Sequence, residues 1–547
     1  MRRRHQLFAA VAVAAALSMT AAACSSSKPK PSASSGGGGG SPAASNSSGG
    51  GGSTGGNTGT GKKIILGTTD KVISLDPAGA YDMGSWTLQW NIYQSLLKIK
   101  PGTSDVVPDA ASNCTWGDNT TYTCKLNPGL VFSNGDPLDA DAVKFSIDRV
   151  IKINDPNGPS SLLGTLDNVT TQGADTVVFK LKSPNATFPY ILTTGAGNIV
   201  DPKVFPPDKL LDDSKVVGSG VYLLKSFTKD QQAVLDPNPK YKGDDQLANS
   251  GVVVTYEQTA STLKLDVEQG NVDVAWRSLS PTDVASLQKE TDKVKVVTGN
   301  GIEIRYLVFN TKLAPVDNVA VRQAVAYSID RESIAKNVYN GTVQPLYSMV
   351  PQGLNGANQA YKDAYGSAPD KAKAAAALQA AGVKTPVNLT LWWTPSHYGA
   401  VSGDEFTEIK RQLEATGLFK VTLQSAEWDA YSKAYPADQY AAFQLGWFPD
   451  YPDADDYLAP FYVQGGFYKN HYDNPQIDQL ITQEEGETDQ SKRVQIIDQI
   501  QNLAAKDVPT IPLWQGNQVA ATGLTVTGVD KTFDPSYTFR MWLIGKS

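Results

Sequence analysis

The strongest constraint on the fold is a change of hydrophobic period that repeats through residues 302–426. Ile302, Ile304, Tyr306 and Val308 alternate with Glu303, Arg305, Leu307 and Phe309, the period of two that a strand imposes on its side chains. From about Val319 the spacing changes, and Val321, Val325 and Ile329 fall on one helix face. PDKAKAAAALQAAG then reads as a helix capped by Asp370 and stopped by Gly382, VNLTLWW as a strand, GDEFTEIKRQLEATG as a helix and KVTLQSA as a strand. Strands alternating with helices predict an α/β fold, with helices covering a sheet. At 547 residues, 41% of them hydrophobic, the chain exceeds what one core usually organises, so two or more lobes are expected.

The N terminus obeys different rules. Residues 1–23 open on Arg2, Arg3 and Arg4, run apolar from Leu7 to Leu17 and end in small residues before Cys24, the layout of an export signal. That run is too short for an ordinary membrane span, and no later segment approaches about 18 uninterrupted apolar residues. TAAAC resembles a bacterial lipobox, with Ala21 where Leu is more frequent; the resemblance implies cleavage before Cys24 and a diacylglycerol on its sulfur. Ser25 to Gly61 is almost wholly Ser, Gly, Pro, Ala, Asn and Thr and cannot bury a core, so residues 24–62 are expected to form a lipid-anchored tether spanning roughly 30–35 Å. GNTGTGK imitates a phosphate-binding loop, but Lys63 follows where Ser or Thr is needed and no strand precedes it. The formal charge is −7, and loss of the three signal arginines leaves −10. So acidic a chain suits no nucleic acid, whose phosphates require a basic face.

Cys114 and Cys124 are the other cysteines. Trp116 and Tyr122 lie symmetrically about Asn119 in a GDNTT turn, so a hairpin centred there sets the two sulfurs on directly opposed strands. A disulfide is the expectation in an exported protein, contributing on the order of 2–3 kcal/mol for so short a loop. Two buried thiols are the alternative, and a metal site has no histidine or second cysteine pair nearby. Trp86, Trp90, Tyr93 and Leu97 recur at helical spacing as one core-facing stripe, and a later helix capped by Asp139 carries Val143, Ile147 and Val150.

Gly446 to Phe461, GWFPDYPDADDYLAPF, gathers aromatic rings, prolines and four aspartates in one segment. Phe443, Leu445 and Trp447 alternate as in a half-buried strand, which Pro449 and Pro452 then end. Asp450 therefore lies just past a strand end, where binding residues are often carried. Asp453, Asp455 and Asp456 read as positions of a solvated acidic loop. A calcium loop would need alternating ligands around a central Gly and a closing Glu, which DYPDADD lacks.

SLDPA, IYQSLL, YTCKLNPGLVFSNGDPLDADAVKFSIDRV, VGSGVYLLKSF, EQGNVDVAW, RYLVFNTKLAPVDNVAVRQAVAYSIDRESI and IPLWQ follow one another from Lys63 onward. In this order they resemble the extracytoplasmic solute-binding proteins of the dipeptide/oligopeptide class (family 5) of ABC importers. The resemblance implies an α/β, two-lobed periplasmic-binding-protein fold with a hinge and an extra subdomain, about 97–190, inserted in the first lobe. It divides the chain into a first lobe 63–300, a second lobe 301–511 and a C-terminal return 512–547, with crossings near Gly301–Tyr306 and Thr510–Trp514. Short crossings let two lobes close like jaws.

In the peptide-binding members an aspartate three residues after a tryptophan receives the ligand's α-ammonium, and Trp447-Phe448-Pro449-Asp450-Tyr451 fits that pattern, with Ala454 where Pro is more frequent. A cation drawn out of water between closing lobes has to meet a fixed carboxylate. Trp447, Trp514 and one of Trp392 and Trp393, with Trp393 preferred, are candidates for the cleft wall. Arg305 and His397 are candidates for the ligand's carboxylate, against a structural ion pair and a surface loop respectively; Tyr81 and Asp82 are candidates for the opposite wall. Arg322, Asp330 and Arg331 match the family's helix motif and read as structural, with Asp330 a cap. The implied protein is a monomeric lipid-anchored receptor on the outer face of the cytoplasmic membrane. It captures short peptides for an ABC permease without chemistry, metal or cofactor. The alternatives are an oligosaccharide-binding relative stacking Trp392, Trp393 and Trp447 on sugar faces, a nickel-chelate or haem binder, and a secreted glycoside hydrolase with paired carboxylates. Against a hydrolase, the chain has neither GxSxG nor HExxH, and beyond the signal its imidazoles are His397 and His471.

Overall fold

The computed structural model describes residues 59, 61–277, 279–399 and 401–547. The signal, the lipidation position Cys24 and nearly all of the 24–62 tether lie outside the described residues.

The organising element is a mixed sheet with two parallel centres. In one, Ile64–Thr68 lies between Val252–Tyr256 and Val274–Trp276; in the other, Val387–Trp393 lies between Phe419–Ser425 and Ala442–Trp447. Two long antiparallel strands, Val294–Phe309 and Thr510–Gly523, run through both halves and join them. These halves are the first and second lobes of an α/β, two-lobed fold.

The period-two pattern explains how one strand serves two cores. Leu307 and Phe309 enter the core beneath the helices Val319–Ala326, Lys371–Ala380 and Val401–Ala415. Ile302, Ile304, Tyr306 and Val308 enter the opposite core, with Tyr431, Phe443, Leu445 and Phe461. Asp330 and Asp370 cap helix starts by accepting from Ser333 N at 2.9 Å and Lys373 N at 3.0 Å.

Where the long strands cross between lobes, their register slips between Asn300 and Ile304. Side chains replace the missing ladder. Tyr537 Oη accepts from Ile302 N (3.1 Å) and Glu303 N (3.0 Å), while Tyr457 Oη donates to Ile302 O (2.7 Å). Gln515 and Gln518 donate to Gly301 O (3.1 Å) and Asn300 O (2.9 Å). A Cβ at Gly301 would collide with the Tyr537 hydroxyl and the Gly516 carbonyl, so glycine is what lets these strands approach.

A four-stranded sheet, Ala111–Asp118, Thr121–Leu126, Thr176–Leu181 and Leu166–Gln172, packs with helix Ala140–Ile153 around a separate core. Cys114 stands opposite Cys124 and is disulfide-bonded to it, and Trp116 stands opposite Tyr122. Beyond Gly523 the chain returns to the first lobe, where Phe539, Met541 and Ile544 join its core. The expected Trp86–Leu97 helical stripe is shorter than the spacing suggests. The helix Met83–Ile92 ends in an extended Tyr93, and Leu97 starts a strand, Leu97–Ile99.

Candidate functional site

A cavity of about 650 Å³ opens between the lobes, lined by aromatic rings and by five charged groups, Asp82, Arg277, Glu303, Arg305 and Asp450. The second lobe's contribution begins where the strand Ala442–Trp447 ends. Pro449 stops the strand and the next residue, Asp450, presents its carboxyl to the cavity. Asp456 shapes this turn: its Oδ2 accepts from Trp447 Nε1 at 2.9 Å and from Asp450 N at 3.0 Å. The loop is anchored further in by Arg493, which forks onto Asp453 at 2.7 and 2.6 Å and donates to Glu484 Oε2 at 2.8 Å.

The run of aspartates is therefore not a solvated acidic loop. Asp453, Asp455 and Asp456 are buried and serve as internal struts. Burial pushes the Asp455 carboxyl up, and burial with the nearby Asp455 charge pushes Glu484 up, against the lowering charge of Arg493. Burial also pushes Asp456 well up, and the nearby Asp450 charge adds to that. Asp450 itself is pushed up to about 6 by burial, against a lowering hydrogen bond from Tyr81. Its Oδ1 accepts from the Tyr81 hydroxyl of the opposite lobe. Among the described residues no Lys, Arg or His forms an ion pair with it.

Trp447 lines the cavity, with its ring edge-on to Phe461 and Phe467 at 5.1 and 5.8 Å. Arg305 also lines it but is spoken for. Its Nη2 meets Glu303 Oε1 at 2.7 Å, its Nη1 donates to Ile304 O at 3.1 Å, and the rings of Tyr398 and Trp514 lie 4.3 and 5.1 Å from the guanidinium. Gly446 makes room for it, since a Cβ there would strike the guanidinium. His397 stacks on Trp428 at 3.8 Å, and burial with the Arg305 charge lowers its pKa, which favours the neutral ring.

Four of the expected site residues lie elsewhere. Trp393 packs over Gly403 at the edge of the second-lobe core, and Trp392 stacks on Tyr440 at 4.0 Å, so neither of the pair lines the cavity. Trp514 is buried beneath Arg305 and donates to Glu405 at 3.0 Å. Tyr451 turns away from Asp450 and stacks at 6.2 Å on Tyr190, beside the inserted subdomain. Sequence reasoning missed Arg277, Glu303, Tyr398, Trp428, Phe448 and Phe467 in the lining. Arg277 carried a signal, because it directly follows the strand end of EQGNVDVAW, as Asp450 follows its own strand.

The family model for bacterial extracellular solute-binding proteins, family 5 Middle, matches residues 105–469, and the chain belongs to that family. Its relatives include the probable D,D-dipeptide-binding periplasmic protein DdpA of Escherichia coli, 28% identical over 491 residues that cover 85% of this chain and 90% of that protein. The dipeptide-binding protein DppE of Bacillus subtilis is 24% identical over 504 residues, covering 86% and 90%. Among solved structures, the unliganded open form of the periplasmic murein tripeptide-binding protein MppA matches with a TM-score of 0.77 at 19% identity, over 90% of this chain and 99% of that one. The Helicobacter pylori periplasmic binding protein DppA in complex with the peptide STSA matches at 0.71 and 22% identity, over 89% and 99%. The fold is thus the two-lobed one, and relatives across nearly its whole length are named as binding proteins.

Proposed function

We propose that this chain captures short peptides between its two lobes and delivers them to an ABC permease, and that Asp450 receives the peptide's α-ammonium. The observation that carries this reading is the state of Asp450: a largely buried carboxylate facing the cavity, met only by a neutral tyrosine hydroxyl. Such a group lacks a counter-charge, and an ammonium supplies one where the desolvated charge is otherwise uncompensated. The aromatic walls leave apolar contact for varied side chains. The names of the dipeptide-binding relatives support the same class of ligand.

The lobes are taken as 63–300 and 301–511, with 512–547 returning to the first and the subdomain at about 97–190 inserted in it. The register slip at Asn300–Ile304 supports a hinge between them. Export with cleavage before Cys24, lipid attachment there, a tether to residue 62 and a monomeric receptor outside the membrane complete the proposal. The oligosaccharide alternative loses support because Trp392 and Trp393 pack away from the cavity.

Calorimetric titration of residues 63–547 with a pool of tri- to pentapeptides, the same pool N-acetylated, and cello- and malto-oligosaccharides tests the reading. Free peptides alone are expected to bind, with Asp450→Ala weakening them by at least a hundredfold. Sugar binding without peptide binding would overturn it.

A further inference from the structure

Two side-chain atoms on the first-lobe wall of the cavity are buried without any partner, Oδ2 of Asp82 and Nη1 of Arg277. The second is the more informative, because an unpaired guanidinium edge facing a cavity is a vacant donor for an anion. Arg277 follows the strand Val274–Trp276 with φ of 62°, a left-handed conformation that is strained for a non-glycine residue. Asp70 Oδ2 lies 3.3 Å from its Nε, an ion-pair distance without a hydrogen bond, and balances charge on that side of the fork alone. Across the cleft, the guanidinium lies 5.1 Å from the ring of Phe448, two residues before Asp450.

Arg305, the cationic neighbour that the sequence pointed to, is poorly placed for the same task. A ligand carboxylate there would have to displace Glu303 from 2.7 Å and enter between two aromatic faces. Arg277 needs no such exchange. Asp70 also keeps part of its charge balanced in the empty protein, so the fork can wait in the cavity without the full penalty of an unpaired buried cation.

We propose that Arg277 holds the α-carboxylate of the bound peptide; this rests on the peptide reading of the cavity given above. The ligand's two charged ends then sit on opposite lobes, ammonium on Asp450 and carboxylate on Arg277. Only a ligand with both ends free and a short span between them engages both. Because each end binds a different lobe, the zwitterion favours the closed arrangement over the open one, and a ligand lacking either charge does not. The spare oxygen of Asp82, one residue from Tyr81, is an acceptor for a peptide N–H on the same wall.

The test compares wild type, Arg277→Gln and Arg277→Lys by titration with one pool of di- to pentapeptides in three forms: free acid, C-terminal amide and N-acetyl. In the wild type, amidation is expected to weaken binding at least tenfold. In R277Q the acid should bind as weakly as the amide, while N-acetylation still weakens it, because Asp450 is intact. Amide discrimination that survives in R277Q places the carboxylate elsewhere and overturns the assignment, as does wild-type binding indifferent to amidation; both leave the ammonium contact standing. If no form of the pool binds the wild type, the peptide reading fails and Arg277 with it. Should R277Q not fold, R277K decides: an acid-to-amide ratio narrowed at least threefold supports the assignment, and an unchanged ratio overturns it.

Discussion

At the scale of single residues, Asp450 is destabilising by design of its surroundings. Burial raises its folded-state pKa to about 6, above the roughly 3.9 of an unfolded aspartate. The folded form therefore binds a proton more readily than the unfolded one, and the ionised carboxylate costs stability above pH 6. That cost is relieved as pH falls from about 6 toward 4. Asp450→Asn removes the charge and keeps the shape. It is expected to stabilise the ligand-free protein by on the order of 1–2 kcal/mol at pH 7.5, allowing for partial solvent screening, and by almost nothing at pH 4. Denaturant unfolding at the two pH values checks this, and an Asn variant less stable than wild type at pH 7.5 would contradict it. Binding sites commonly carry such a penalty, which the ligand then removes.

At the scale of elements, the crossing between lobes depends on side chains standing in for a ladder. Tyr537→Phe would leave Ile302 N and Glu303 N without their shared acceptor, in a site where its ring also packs 4.5 Å from Phe448. A loss of about 1–3 kcal/mol in unfolding free energy is expected. Peptide affinity should change as well, because the hinge is altered; an unchanged stability would mean that water or the strand replaces the hydroxyl at no cost. Much of this element plan was legible in the sequence. Period two at Ile302–Phe309, the caps Asp330 and Asp370, and the Cys114–Cys124 register are all local patterns, and local patterns survive in one dimension. What the sequence hid was orientation after a turn. DYPDADD looks solvated because its aspartates are polar, but Arg493, 40 residues on from Asp453, turns one of them into a buried strut. Trp392 and Trp393 obey strand alternation, yet both strand faces at that point are covered by helices, so neither face is the cleft. Arg277 escaped notice because its partners, Asp70 and Phe448, are remote in sequence from it and from each other.

At the scale of the whole molecule, the two lobes already touch through the Tyr81–Asp450 hydrogen bond and the Tyr190–Tyr451 stack. On the proposed reading a peptide's ammonium would compete with the Tyr81 hydroxyl for Asp450, and capture would exchange a neutral lobe contact for a charged one. That exchange is coupled to a proton. Burial raises the free protein's Asp450 carboxyl to about 6, so it holds a proton more readily than an ordinary aspartate, whereas an ammonium in contact requires the carboxylate and lowers its pKa. The most direct measurement is calorimetric titration of one free-amine peptide at pH 6 in two buffers of different ionisation enthalpy, which reads protons exchanged on binding. Protons should be released on binding at pH 6, with the release shrinking as pH rises toward 7 and vanishing in Asp450→Asn. Tight binding with no proton release at pH 6, or release that persists in Asp450→Asn, would contradict capture of the ammonium by Asp450.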